Sequence, residues 1–318
     1  MIKIIKLHYP ILKKILPTPT PQVVAMGFFD GVHLGHQAVI KRAKREADKQ
    51  GVPLAVLTYD PQPIVVFEML AQPLRYLTSM NQKAALLADL GVNTMYVMQF
   101  TSQLAQLRPQ EFVNQVIMRL NPVTVVGGFD HVYGGDVNIA DMDHLPQYAK
   151  KRFDVVSVSE LDVNNQKIGS SSIRKALELG TMNIVNSQLG RIHQTTGLVI
   201  HGEARGRELG FPTVNIKTPE LEWLPAIGIY AVKIMIGDDW HLGMASIGRN
   251  ITFGDARPIT VEINILDFNQ QVYGENVTVN WYHYLRGEVK FTTVPELITQ
   301  LKKDEIATRR YFDALDYC

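Results

Sequence analysis

The chain has 318 residues, a formal net charge of +1 and one cysteine, Cys318. This length predicts two domains, and a single cysteine excludes a disulfide framework and a thiolate metal cluster. The basic residues are dispersed, so nothing indicates nucleic-acid binding. Residues 1–16 lack the apolar core of a signal peptide, and no later run is long enough to span a bilayer. We expect a cytoplasmic protein that does not bind membranes, and its oligomeric state stays open.

The first half of the chain alternates apolar runs with helical patterns, which predicts a parallel α/β sheet of the Rossmann-like class. The predicted strands are residues 23–26, 54–58, 95–98, 123–126 and 155–158. The predicted helices between them are residues 37–49, 81–90, 109–120 and 142–150. A polar loop then leads to a short helix that Gly180 ends, and we assign residues 1–182 to the first domain.

The second half of the chain has a different pattern of predicted secondary structure, because short β-prone stretches recur with turn signals after Gly197. This spacing predicts a small antiparallel barrel. The stretches are residues 197–201, 229–236, 241–247, 259–266 and 277–284. Thr293 and Glu296 form a capping box that begins a terminal helix. We assign residues 183–318 to the second domain.

A turn follows the first predicted strand, in the segment Val-Ala-Met-Gly-Phe-Phe-Asp-Gly-Val-His-Leu-Gly-His of residues 24–36. The amides and the dipole at the start of the next helix can bind a phosphate, and imidazole N–H groups can stabilise charge on a leaving pyrophosphate. An isolated His-x-Gly-His is more often an ordinary helix start. The candidate residues for nucleotide binding are Gly27, Phe29, Asp30, His33 and Gly35, and the catalytic candidate is His36.

This segment resembles the nucleotide-binding signature of the nucleotidyltransferase superfamily, in the form seen in bacterial flavin adenylyltransferases. The stretch Lys167-Ile-Gly-Ser-Ser-Ser-Ile-Arg174 resembles the second signature of that superfamily, Ile-Ser-Ser-Thr-x-Ile-Arg. The resemblance implies that Ser170 and Ser171 bind the nucleotide and that Arg174 is catalytic. The alternative is that the serines only cap a helix.

Two further loops follow predicted strands. The loop Gly127-Gly-Phe-Asp-His-Val-Tyr-Gly134 resembles the family segment Gly-Phe-Asp-Phe-x-Phe-Gly, with His131 and Tyr133 at aromatic positions. Asp130 is therefore a candidate ligand-binding residue. Asp60-Pro-Gln-Pro63 resembles the loop after the second strand. Ordinary turn chemistry is the alternative explanation for both loops.

The second half contains a glycine-rich segment, residues 197–215, between two β-type stretches. Such a loop can fold its amides around phosphates. Thr213 and Asn215 are two residues apart, so in a strand their oxygens share a face, and oxygen ligands suit Mg²⁺. The alternative is a surface turn. The nucleotide-binding candidates here are Gly202, Arg207, Gly210 and Pro212, and the metal candidates are Thr213 and Asn215.

The stretch Pro212-Thr-Val-Asn215 resembles the Pro-Thr-Ala-Asn motif of riboflavin kinases. Glu262 interrupts a later β-prone run, and a carboxylate on a solvated strand face is the alternative interpretation. The resemblance implies that Glu262 is the general base, which takes a proton from a ribityl hydroxyl as it attacks the γ-phosphate of ATP. It also places Arg286 near the flavin.

Both modules occur in the order of the prokaryotic bifunctional riboflavin kinase/FAD synthetase family, which the chain resembles from about residue 23 to 312. The resemblance implies conversion of riboflavin and ATP to FMN, then of FMN and ATP to FAD, with Mg²⁺. Two alternatives stay open. One is a kinase with an inactive or regulatory N-terminal module, and the other is a flavin-binding or RNA-associated regulator without turnover.

Overall fold

The computed structural model describes residues 2–69, 73–135, 138–160, 162–163, 166–202, 205–249 and 259–316. The chain divides into two compact units. The first contains Met1–Leu74 and Thr78–Gly169, and the second contains Arg75–Leu77 and Ser170–Cys318. Among the described residues, no helix combines the length and apolar character that crossing a bilayer requires.

The first unit is built on a six-stranded parallel sheet in the order β1-β4-β3-β2-β5-β6. The strands are β1 Lys3–Leu7, β2 Gln22–Met26, β3 Leu54–Asp60, β4 Thr94–Gln99, β5 Pro122–Gly128 and β6 Asp154–Val158. Five of them confirm predicted strands. The edge strand β1 was not predicted, because its side chains are mostly exposed and form no buried apolar run.

The helices of the first unit connect these strands. They are α1 Leu34–Gln50, α2 Ile64–Phe67, α3 Met80–Asp89, α4 Ser102–Ala105, α5 Pro109–Gln115, a 3₁₀ helix Ile117–Leu120, and α6 Leu145–Ala149. The helix predicted over residues 109–120 is thus interrupted at Val116, whose φ of −116° departs from helical geometry. Two short strands, β7 Asp162–Val163 and β8 Gln166–Lys167, follow β6.

The order of the sheet determines where a ligand can bind. Strand β2 lies inside the sheet, with β3, β4 and β1 on one side and β5 and β6 on the other. The chain therefore reverses its direction of winding beside β2, and ligands of open α/β sheets bind at the carboxyl ends of the strands at such a switch point. The predicted phosphate-binding turn follows β2 directly.

The second unit contains the predicted barrel, which closes in the order β10-β13-β12-β11-β14-β9 with every pair antiparallel. Its strands are β9 His193–Ile200, β10 Val214–Lys217, β11 Gly228–Ile236, β12 Asp239–Gly248, β13 Thr260–Ile265 and β14 Asn276–Arg286. Its helices are α7 Ser170–Glu178, α8 Met182–Leu189, α9 Arg205–Glu208 and α10 Val294–Asp316.

The core of the second unit includes both the barrel interior and the helices before it. Trp281 and Tyr230 meet edge to face at a ring-centroid distance of 5.3 Å. Ile173 and Leu177 of α7 belong to the same buried cluster, because they lie four residues apart on one helix face. Helix α7 therefore packs with the barrel. The domain boundary between residues 182 and 183 stays a prediction.

Candidate functional site

The turn after β2 sets two histidines in contact at the start of α1. His33 is the N-cap residue, and its Nδ1 accepts a hydrogen bond from the His36 backbone N–H over 3.3 Å. The two imidazole rings stack with a centroid distance of 3.6 Å. A Cβ at residue 35 would lie 3.2 Å from the His33 ring, so a larger residue at this position would require the ring to shift. The stack therefore lies at the amino end of a 17-residue helix, where a phosphate is favoured.

The backbone of this turn is strained. Phe29 and Val32 have φ values of 53° and 41°, in a region that bulky side chains rarely adopt. Phe29 packs edge-on against His36 at a centroid distance of 5.3 Å. A Cβ at Gly27 would lie 2.7 Å from the Phe29 ring. Such strain costs about 1–3 kcal/mol for each residue and is concentrated at ligand sites.

Asp30 points away from solvent. Its side chain is fully buried, and Oδ1 accepts a hydrogen bond from the Thr78 backbone N–H over 3.4 Å. The hydroxyl of Thr78 in turn accepts a hydrogen bond from Gly31 N–H over 3.1 Å. Asp30 therefore braces the turn from inside, and direct contact with ATP stays a prediction.

The loop after β5 lies at the same edge of the sheet. Asp130 is exposed, whereas Tyr133 is buried. Burial lowers the pKa of His131 to about 4, so this ring is neutral at physiological pH. Among the described residues, neither His131 Nε2 nor the Tyr133 hydroxyl has a hydrogen-bond partner. Both of these rings thus carry a buried polar atom.

A cavity of about 930 Å³ lies beside the loops that follow β3, β4 and β5. Its walls include Val66 and Phe67 from α2, Leu107 before α5, Pro109 at the start of α5, and Tyr148 of α6. Sequence analysis did not find these residues. The only sequence feature that points to this cavity is the apolar run that follows Asp60-Pro-Gln-Pro63. In the structure, Phe67 of this run is 61% exposed.

The second signature lies on α7 of the second unit. Ser171 is exposed, and Ser170 and Arg174 are half-buried. The Arg174 guanidinium lies 5.8 Å from the centroid of the Trp223 ring. That these three side chains join the histidine turn to bind one ATP stays a prediction.

The barrel carries a row of side chains across its outer face. Asn215 on β10 pairs with Glu262 on β13, and Glu262 pairs with Ser246 on β12. Directly opposed residues of antiparallel strands point to the same face. All three are half-buried, while Ile216 and Ile263, the next residues along two of these strands, are buried inside the barrel.

Thr213 extends this row. Its hydroxyl donates a hydrogen bond to Glu262 Oε2 over 3.4 Å. The structure thus brings together the two predicted metal ligands and the predicted base, and it adds Ser246, which was not predicted as a site residue. Among the described residues, no cluster of three or more histidine, cysteine or acidic side chains could hold a metal ion. A hydroxyl and an amide oxygen are nevertheless the oxygen ligands that Mg²⁺ uses together with phosphates and water.

The glycine-rich loop passes close to this row. A Cβ at Gly202 would overlap the Asn215 side-chain amide, so only glycine permits the approach. Gly210 has a φ of 80°, the left-handed conformation that favours glycine. Arg207, Pro212 and Thr213 line a second cavity, of about 320 Å³.

Arg286, at the end of β14, is paired inside the protein. Its Nε and Nη2 donate hydrogen bonds of 2.6–3.1 Å to the Asp304 carboxylate on α10, and its Nη1 donates to the Gly287 carbonyl over 2.8 Å. The Asp304 side chain is only 5% exposed. Arg286 therefore holds α10 against the barrel, and contact with the flavin stays a prediction.

Both halves of the chain match known families. Residues 16–172 match the family model described as FAD synthetase, and residues 189–312 match the model described as riboflavin kinase. A bifunctional riboflavin kinase/FMN adenylyltransferase of Listeria monocytogenes is 46% identical, over 99% of each chain. The Bacillus subtilis protein of the same description is 38% identical, over 92% of this chain and 93% of its own.

A solved structure is also similar over nearly the whole chain. It is described as a macrolide-efflux protein from Streptococcus pneumoniae and is 35% identical, with a TM-score of 0.88. The match covers 96% of this chain and 99% of that one. The efflux description is that of the S. pneumoniae protein.

Proposed function

The chain belongs to the family of bifunctional riboflavin kinases/FMN adenylyltransferases, and from this premise we propose which of its side chains carry each reaction. The protein phosphorylates riboflavin with ATP to FMN and adenylylates FMN with a second ATP to FAD and pyrophosphate. Matches to both domains, over nearly full length, favour this function over a kinase with an inactive N-terminal module.

The kinase reaction is assigned to the outer row of the barrel, and the pairing of Asn215 with Glu262 carries this assignment. Glu262 takes the proton of the ribityl hydroxyl while that oxygen bonds to the γ-phosphorus and the bond to the ADP oxygen breaks. Thr213 and Asn215 would hold Mg²⁺ beside the phosphates. When bound, the ion neutralises charge on the transferred phosphoryl group.

Adenylyl transfer is assigned to the turn after β2, on the basis of the histidine stack. The FMN phosphate attacks the α-phosphorus of ATP, and pyrophosphate leaves. His33 Nδ1 accepts a hydrogen bond from the His36 backbone N–H, so when the His33 ring is neutral its proton is on Nε2. The imidazole N–H groups of the stacked His33 and His36, beside the helix amides, stabilise negative charge on the departing phosphates.

The cavity of about 930 Å³ is proposed to hold the flavin ring during adenylyl transfer. It lies at the carboxyl edge of the sheet and its walls are largely apolar, as expected of a ligand pocket. The smaller cavity beside Thr213 is proposed to receive ATP for the kinase, because Arg207 and Pro212 of the glycine-rich segment line it. The use of ATP and the single cysteine support a cytoplasmic location.

One incubation tests the whole assignment. Purified protein is mixed with riboflavin, ATP and Mg²⁺, and the flavins are separated by chromatography. We expect FAD to accumulate after FMN. FMN alone would indicate an inactive N-terminal module, and the absence of both products would favour a flavin-binding protein without turnover.

A further inference from the structure

A lysine lies buried directly beneath the turn after β2. Lys83, on α3, is only 2% exposed. Its Nζ donates a hydrogen bond of 2.8 Å to the Phe28 carbonyl and lies 4.6 Å from the centroid of the Phe28 ring. Because a lysine is seldom fully buried unless it is paired, this position calls for an explanation.

Two carboxylates offset part of the cost of burying the charge of Lys83. Burial lowers its pKa to about 8, whereas the charges of Asp30 and Asp60 raise it. Asp30 belongs to the turn after β2, and Asp60 is the last residue of β3. The ammonium group therefore lies between the predicted nucleotide-binding turn and the loop that leads toward the large cavity.

The segment from Thr78 to Lys83, which leads into the first turn of α3, holds the strained turn at two points. Thr78 accepts a hydrogen bond from Gly31 N–H, and Lys83 donates one to the Phe28 carbonyl. That carbonyl also accepts a hydrogen bond of 2.8 Å from Thr58 Oγ1 on β3. The left-handed residue Phe29 lies between these two points, and its ring contacts His36. A shift of the Phe28 backbone would therefore move Phe29 and, through its ring contact, the His36 ring.

We propose that Lys83 is a positioning residue for adenylyl transfer, whose buried ammonium keeps the turn after β2 in the conformation that presents His33 and His36 to the phosphates of ATP. This inference rests on the proposed adenylyl-transfer site. In this role Lys83 would contact neither the reacting atoms nor the flavin. It acts through the Phe28 carbonyl and the Asp30 carboxylate.

The matched variants for the test are Lys83→Met, which keeps chain length without charge, and Lys49→Met, at the exposed far end of α1. We expect Lys83→Met to lower kcat/KM for FAD formation from FMN by about 10²-fold, as small misplacements at a reacting centre do. Riboflavin phosphorylation in the same preparation should be unchanged, which excludes global unfolding, and a thermal unfolding curve compared with that of Lys49→Met checks the fold of the first unit. Activity within twofold of Lys49→Met would overturn the proposal.

The pH profile separates a role of the charge from a purely structural one. Lysine loses its proton as the pH rises, so adenylyl transfer by the unmodified protein should fall above about pH 8. Asp60→Asn removes a charge that favours protonated Lys83, so the midpoint of this alkaline fall should move to lower pH. This comparison uses only the unmodified protein and Asp60→Asn, so it does not depend on whether Lys83→Met folds. An unmoved midpoint would overturn the proposal.

His36→Ala distinguishes failure of this inference from failure of the site. If His36→Ala leaves FAD formation intact, the proposed site is wrong and Lys83 has nothing to position. If His36→Ala impairs FAD formation and Lys83→Met does not, only the role of Lys83 is refuted.

Discussion

Asn215 lies directly opposite Glu262 on adjacent antiparallel strands, at the outer face of the barrel. Side chains in such a pair have Cβ atoms about 4.5–5.5 Å apart. The proposed metal ligand and the proposed base are thus neighbours, and Thr213 donates a hydrogen bond to the same carboxylate. A change of charge at one member should therefore affect the others.

Asn215→Asp should impair riboflavin phosphorylation in a way that depends on metal concentration. The new carboxylate would face Glu262 and the phosphates of ATP, and like charges placed directly opposite each other are destabilising. Thr213→Ala removes a hydroxyl without adding charge, so its defect should respond less to added metal. The measurement is kinase turnover of both variants across a Mg²⁺ titration. Normal turnover of both throughout would show that the metal site is elsewhere.

Glu262→Gln should separate the two activities. The substitution keeps the shape of the side chain but removes the base, so riboflavin phosphorylation should fall by about 10²–10⁴-fold. FAD formation from supplied FMN should be unaffected, which excludes global unfolding, and a thermal unfolding curve compared with that of the unmodified protein checks the fold of the second unit. Loss of FAD formation with intact FMN formation would reverse the assignment of chemistry to modules. If both rates stayed normal, Glu262 would be only a half-buried strand residue.

His36→Ala should show the opposite pattern and accumulate FMN. Removal of one preorganised donor to developing charge typically costs about 10²–10³-fold in rate. His8→Ala is the matched control, because His8 is exposed outside the turn. Rates of FAD formation from FMN are compared between the two variants. Equal rates would make His36 an ordinary first-turn residue.

His193 should make the second unit sensitive to acid. It is 1% exposed, its Nε2 lies 3.0 Å from the Trp223 carbonyl, and among the described residues its Nδ1 has no hydrogen-bond partner. Burial lowers its pKa from 6.5 to about 4. The unfolded chain therefore binds the proton more readily, so this contribution to stability is complete above pH 6.5 and is lost as the pH falls toward 4. The loss amounts to about 3 kcal/mol.

The variant for this test is His193→Gln, which keeps a side-chain N–H donor but does not titrate. The free energy of unfolding is measured for both proteins between pH 7 and pH 4. As the pH falls, the free energy of unfolding of the unmodified protein should decrease more than that of His193→Gln, and the difference between the two decreases is the contribution of His193. His131, whose pKa burial also lowers to about 4, contributes equally to both curves. Parallel curves would contradict the assignment.

Local features of this protein could be predicted from the sequence because their causes lie within a few residues. Gly51 ends α1 with a φ of 65°, and a glycine at that position is a helix stop that the sequence shows directly. The strand-turn-helix from β2 to α1 was predictable for the same reason. So was the shared face of Thr213 and Asn215, because side chains alternate along a strand.

The tertiary structure alone decided which distant residues meet. Lys83 belongs to a correctly predicted helix, but its burial depends on the Phe28 carbonyl, 55 residues earlier in the chain. Ser246 joins Glu262 only through the register of β12 and β13, and Arg286 is held by Asp304 only because α10 packs on the barrel. The pattern of one segment does not show which residue of another segment will pair with a charged side chain. Burial of that charge is decided when the segments pack together.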